Sequence, residues 1–170
     1  MRTVRRIIGI DPGLASTGWG LVEYSLGRIR YLAHGCIETK ADSPRGDRLF
    51  FIYRSIQEVL DTWEPGESAM ETLYFGRNVS SAIPVAEARG VLSVALAERG
   101  LSILELSPGD IKRGVVGVTR ADKRQIQEMV RLVLNLPVIP SPDHAADALG
   151  AAICAANTAL TAVPPSPDSG

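Results

Sequence analysis

The sequence predicts an α/β domain: a mixed five-stranded sheet with helices on both faces. Three observations lead there. Short apolar runs bounded by Gly, Pro and Ser recur in five segments, as strands require. From Pro44 the apolar period changes to that of a helix. After that point strand segments and helical segments alternate, the pattern that layers helices over a sheet.

Taken in order, Val4 to Ile10 reads as a buried strand, and Gly18 to Tyr24 and Arg28 to Glu38 as two more, joined by a turn at Ser25-Leu26-Gly27. This is an antiparallel meander. Leu49, Ile52, Tyr53, Ile56, Val59 and Leu60 share one helical stripe, which Trp63-Glu64-Pro65-Gly66 ends. Ser68 to Glu71 is a short strand. A loop from Thr72 to Asn78 leads to a small-residue-rich helix over about Ser80 to Arg99, with Pro84 tolerated in its first turns. Leu101 to Leu106 is the fifth strand. Ser107-Pro108 opens a short helix, Ala121 to Leu136 forms a longer amphipathic one, and Ser141-Pro142 starts a final Ala-rich helix with a Ser cap and Pro at its first position. The expected order is βββ-α-β-α-β-α-α, with no internal repeat.

At 170 residues the chain suits one domain, expected over 1–160, with a Pro/Ser-rich disordered tail over 161–170. The net charge of −1 announces no polyanion partner, so any nucleic-acid contact must come from a local patch. Cys36 and Cys154 sit in apolar surroundings and read as free buried thiols, which points to the cytoplasm. No signal peptide is expected, and no apolar run reaches the ~20 residues that span a bilayer.

Chemistry concentrates at three acidic places. The run IIGIDPG ends a buried strand on Asp11, and Ser68-Ala69-Met70-Glu71 ends another on Glu71. Strand ends beside crossover loops are where such sheets place ligands. In PDHAADALGAAI, Asp143 and Asp147 are spaced i,i+4 and His144 and Asp147 i,i+3, either of which shares a helix face. Each site has a plainer explanation: Asp-Pro-Gly is a turn, Glu71 a solvated strand end, Asp143 an acid favoured by the helix dipole. Asp147 is harder to dismiss, because an acid in so apolar a stretch needs a partner. Together, carboxylates converging from two strands and a helix are what hard divalent ions such as Mg²⁺ and Mn²⁺ require. Two such ions ~4 Å apart can serve phosphodiester hydrolysis. Around Asp11, Pro12-Gly13 are expected to turn the chain away, and Gly18 and Gly20 to let the next strand lie close.

The motifs IGIDPGLASTGWG, METLYFGRNVSSA, EARGV, IKRGVVG, ADKRQIQEMV and DHAADALGAAI, in that order and spacing, closely resemble the RuvC family of bacterial Holliday-junction resolvases. The resemblance covers roughly Val4 to Ala156. It implies an RNase H-like fold and a homodimer with two symmetry-related sites, each nicking one strand of a four-way DNA junction with divalent metal in recombination and repair. It also implies RuvA and RuvB, the branch-migration proteins, as partners. Carried over by position, the catalytic and metal-holding set is Asp11, Glu71, His144 and Asp147, with Asp11 expected to be shared by both ions. His144 departs from the family, many of whose members carry Asp there; Asp143, one step earlier, becomes the dipole-matched neighbour. An imidazole removes one negative charge and adds a softer ligand, which tilts the expected preference from Mg²⁺ towards Mn²⁺.

For DNA, Lys112 to Arg131 holds six basic residues against Asp122 and Glu128, a net +4. Lys112 and Lys123 match family lysines and are expected to contact the junction. Arg77 and Arg89 are further candidates, and Glu87 stands where the family often has Gln. Tyr74, three residues beyond Glu71, is the aromatic expected to stack near the crossover. Ala86, Gly90, Ser93, Val94 and Ala97 form a small-residue face suited either to a dimer interface or to packing on the chain's own sheet. Two rivals remain: a catalytically weak junction-binding module of the same fold, and an actin-like ATPase. The second lacks room for a closing domain and has no GxxxxGK[ST] loop.

Overall fold

The computed structural model describes residues 4–73 and 79–158. Tyr74, Arg77 and the expected tail over 161–170 lie outside them. Its elements run β1 (Arg5–Asp11), β2 (Ser16–Ser25), β3 (Arg28–Glu38), α1 (Arg45–Trp63), β4 (Glu67–Glu71), α2 (Val79–Glu98), β5 (Ile103–Leu106), α3 (Pro108–Val116), α4 (Lys123–Val133) and α5 (Asp143–Thr158). Three helices follow β5, matching the three helical segments expected after Leu106 and one more than the order βββ-α-β-α-β-α-α counts. The sheet order is β3-β2-β1-β4-β5, with β1 antiparallel to β2 and parallel to β4. It is the mixed five-stranded sheet that the sequence predicts.

Side chains alternate across a strand, and here the alternation builds two cores. From β1, Ile8 and Ile10 join Leu21, Met70, Ile52, Ile56, Leu92 and Leu96 under α1 and α2. Ile7 faces the other way and joins Val22, Ala69, Ile111, Val115, Val130, Leu149 and Ile153 under α3, α4 and α5. The same parity puts Asp11 on the α5 face with Ile7, and Glu71 there with Ala69.

Local signals explain the boundaries. Ser107 caps α3, accepting from the Asp110 N–H at 3.1 Å while Asp110 Oδ2 accepts from the Ser107 N–H at 3.0 Å. Asp122 and Gln125 make the same reciprocal pair for α4, so that helix starts at Lys123, later than expected. Glu64, with a left-handed φ of 45°, closes α1. Helix α5 begins at Asp143, so Ser141 stands too early to cap it. The Pro142 carbonyl accepts from the Ala145 N–H at 2.9 Å instead. Cys36 and Cys154 are both free; Cys154 is buried as expected, whereas Cys36 is only half-buried. No helix among the described residues is long and apolar enough to cross a membrane.

Candidate active site

Asp11 is the last residue of β1 rather than the first beyond it, and Glu71 is the last of β4. The β1–β4 register stops at Ile10↔Met70, so the two acids stand side by side one residue past the last shared pair. Thr17 fixes the corner after Asp11: its buried hydroxyl donates to the Gly13 carbonyl at 2.7 Å.

Helix α5 brings the other two groups, and glycines decide how close it comes. A Cβ on Gly18 would lie 2.0 Å from the His144 carbonyl oxygen; one on Gly9 would lie 2.0 Å from the Ala148 oxygen. One on Gly20 would meet the Leu149 side chain at 2.6 Å. Gly9 pairs with Gly20 and Asp11 with Gly18, so the three form a seat across β1 and β2. Gly18 and Gly20 thus admit the helix backbone; the expectation that they let a strand lie close is corrected. Real Cβ atoms cannot occupy such distances, so only glycine permits this seating.

Seated there, His144 places Nδ1 2.6 Å from Asp11 Oδ2, where the imidazole N–H donates to the carboxylate. Asp143 points elsewhere. It takes the Lys123 ammonium at 3.1 Å and the Gln127 amide N–H at 3.1 Å. Of the two candidates at the start of α5, the geometry therefore puts His144 beside Asp11. Lys123 also reaches Asp147 Oδ2 at 3.3 Å, so a residue expected on DNA touches the acid cluster itself.

Burial raises the Asp11 pKa above its ordinary 3.8, although the His144 contact pulls the other way. Glu71 is raised above 4.5, first by burial and then by the charges of Asp11 and Asp147, against a lowering by Lys112. Burial draws the Lys123 pKa down, but Asp143 and Asp147 together outweigh it and raise it. The carboxylates thus repel one another across a partly buried cleft, a repulsion that Lys112 offsets at Glu71 and Lys123 at Asp11. A cleft of about 250 Å³ opens between Asp11, Glu71, Leu73, Arg89 and Pro108. Among the described residues no three of these donors are yet drawn into one closed ligand set. Asp11 is turned to His144, and Asp147 to Lys123. The chemistry of the set still fits a hard divalent ion, since converging, mutually repelling carboxylates are what such an ion neutralises.

Arg89 does not face outward. Its guanidinium donates to the Glu71 carbonyl at 2.6 Å and pairs with Glu105 of β5, leaving the side chain only 16% exposed. Glu105 was not a candidate, because an acid on a strand carries no mark of a partner on a distant helix. Glu87 meets Arg45 at 3.4 Å through one oxygen. Among the described residues its Oε2 is buried without a hydrogen-bond partner. On α2, Ala88, Leu92, Ala95 and Leu96 pack inward. Gly90, Val94 and Ala97 of the small-residue face are exposed, so that face is not the one packed on the sheet.

The profile of the family described as Crossover junction endodeoxyribonuclease RuvC matches residues 7–155, which span all four site residues. The chain belongs to the RuvC family. The RuvC of Treponema denticola is 47% identical over 151 residues, covering 89% of this chain and 85% of its own length. That of Chloroflexus aurantiacus is 47% identical over 156 residues, covering 92% and 95%. Among solved structures, Thermus thermophilus RuvC in complex with Holliday junction substrate matches with a TM-score of 0.84 at 30% identity, over 93% of this chain and 96% of that one. The yeast mitochondrial Holliday junction resolvase Ydc2, at 14% identity and a TM-score of 0.61, shares the fold. The RNase H-like architecture expected for a RuvC is the one found.

Proposed function

We propose that this RuvC-family chain is a structure-selective endodeoxyribonuclease that resolves four-way (Holliday) DNA junctions by paired symmetric nicks, in recombination and DNA repair. The observation that carries the reading is the convergence of Asp11, Glu71, His144 and Asp147 at one end of the sheet, with Lys112 and Lys123 as flanking cations. RuvC enzymes are metal-dependent nucleases. Asp11, Glu71, His144 and Asp147 would hold two Mg²⁺ or Mn²⁺ ions, with Mn²⁺ favoured by the imidazole. Such ions would supply a water of lowered pKa and neutralise charge on the scissile phosphate.

The chain's own groups prepare that chemistry. Asp11 orients the imidazole through Nδ1, which leaves Nε2 as the nitrogen that would face a metal ion. Lys123 offsets the charge of Asp147 in the metal-free protein and supplies a phosphate contact once DNA arrives. Lys112, whose charge already reaches Glu71, serves the opposite side. Tyr74 and Arg77, which follow Glu71 in the sequence, are proposed DNA contacts. The outward face of α2, with Ile83 46% and Val94 56% exposed, is the proposed homodimer interface. RuvA and RuvB are the proposed partners, and the cytoplasm the proposed compartment.

The test is nicking of a synthetic four-way junction against linear duplex, in Mg²⁺ and in Mn²⁺. Paired nicks that vanish in Asp11→Asn support the resolvase. Junction binding without nicks in either metal would leave a binding module in its place.

A further inference from the structure

Glu71 has an unusual structural problem. It stands at the end of β4, one residue beyond the last pair with β1, so the ladder that carries Asp11 does not hold it. On its other side the pairing with β5 runs out at Glu71↔Leu106, where the Thr72 N–H donates to the Leu106 carbonyl at 2.8 Å. The strand end is therefore held by the ladder on one side only.

We propose that Arg89 and Glu105 form a clamp that fixes the Glu71 main chain, and thereby its carboxylate, against Asp11; Arg89 is a positioning residue for the cleavage reaction. One guanidinium nitrogen donates to the Glu71 carbonyl at 2.6 Å and the other is held by the Glu105 carboxylate. The clamp crosses three elements: Arg89 comes from α2, the carbonyl from β4 and Glu105 from β5, paired with Met70 of β4. The rigid fork of Arg reaches two acceptors on separate strands at once, which the single point charge of Lys does not. The base of Arg89 is itself secured, because the Ser93 hydroxyl donates to its carbonyl at 2.8 Å and Ala88 beside it is fully buried. Arg89 also lines the cleft with Asp11 and Glu71, so its movement is felt where the reaction occurs.

This rests on the reading of Glu71 as a metal-holding residue, and the test separates the two. Native protein, Arg89→Lys and Glu105→Gln are compared in single-turnover nicking at saturating junction, in junction affinity across a salt series, and in Mn²⁺ binding without DNA. The clamp predicts a cleavage rate lower by about 10- to 100-fold in both variants, with Mn²⁺ affinity reduced by a similar factor, as for other supports of metal ligands. Junction affinity and its salt slope stay as in the native protein. Arg89→Lys that weakens junction binding, with Mn²⁺ affinity and the cleavage rate at saturating junction intact, would overturn the clamp and make Arg89 a phosphate contact. Tighter junction binding by Glu105→Gln would overturn it in the same direction. Should Arg89→Lys fail to fold, Glu105→Gln decides, since its site is on the surface. If native protein neither nicks nor binds Mn²⁺, the metal-site reading fails, and hydrogen exchange of the Thr72 amide judges the clamp. Exchange faster by about tenfold in the variants upholds it; unchanged exchange overturns it.

Discussion

Replacing Gly18 by Ala should separate α5 from the sheet, and the size of the effect follows from one distance. The new methyl carbon would lie 2.0 Å from the His144 carbonyl oxygen and 2.9 Å from the Ala145 nitrogen, both backbone atoms that no side-chain rotation can clear. Ordinary contact begins at 3.4 Å, so the first turn of α5 must retreat by 1.4 Å. Overpacking of this kind costs about 1–3 kcal/mol. The same retreat takes His144 Nδ1 out of reach of Asp11, from its present 2.6 Å. A misplacement of about 1 Å at a reacting centre costs on the order of 10²-fold in rate. Urea unfolding should therefore show a loss of about 1–3 kcal/mol, and junction nicking a fall of about a hundredfold that extra metal does not restore. Gly46→Ala is the matched control: among the described residues a Cβ there, in the first turn of α1, meets nothing within 4 Å. It should stabilise by up to ~1 kcal/mol and leave nicking unchanged. A Gly18→Ala protein with native nicking and stability within about 0.5 kcal/mol of wild type would refute the claim that glycine spacing sets the site.

Other perturbations probe separate parts of the same arrangement. Asp11 and Glu71 both have raised pKa values in the fold, so folding favours their protonated forms. That contribution is full below the unfolded values and is lost as pH rises through the raised ones. Metal-free Asp11→Asn should consequently be more stable than native protein at pH 8, with the gap closing in acid; urea midpoints across pH check this, and an equal deficit at every pH would contradict it. Its nicking should fall at least a hundredfold. Lys123→Met breaks pairs with Asp143 and Asp147 that are largely exposed, so unfolding should shift by no more than about 1 kcal/mol. The salt slope of junction binding should nonetheless drop by ~0.9 if one phosphate contact is gone. Val94→Glu places a charge on the exposed face of α2 and should yield monomers by sedimentation while melting as the native fold does. His144→Asp should shift metal preference towards Mg²⁺; equal Mg²⁺ and Mn²⁺ rates in the native enzyme, with the variant's Mg²⁺ preference no different, would remove the imidazole from that role.

Much of this was legible in the chain because it is local. An apolar run ending on Asp11, a second ending on Glu71, and an acid amid alanines at Asp147 are visible without any tertiary information, and period-two alternation orients them. Between His144 and Asp143 the family pattern favoured His144, and the contact with Asp11 agrees with it. What escaped depends on which element lies on which. Gly18 and Gly20 look alike whether they face a strand or a helix, and only the seating of α5 on them decides. Lys123 reads as a surface lysine until α4 brings it to Asp147. Arg89 reads in the chain as a candidate phosphate contact, and nothing there marks its bonds to Glu71 of β4 and Glu105 of β5. Helix starts drifted where a cap competes with periodicity, as Asp122 does at α4.

The division of β1 between two cores makes the site a matter of odd and even numbers. Ile8 and Ile10 belong to one face, Ile7, Gly9 and Asp11 to the other. Removing a single residue from the middle of β1 would turn every residue beyond it to the opposite face, sinking the carboxylate towards the core of Ile56 and Leu92 and turning Ile10 to the α5 face. Removing two would restore every side to its own face at the cost of a shorter reach. The strand thus tolerates changes of size far better than any change of parity.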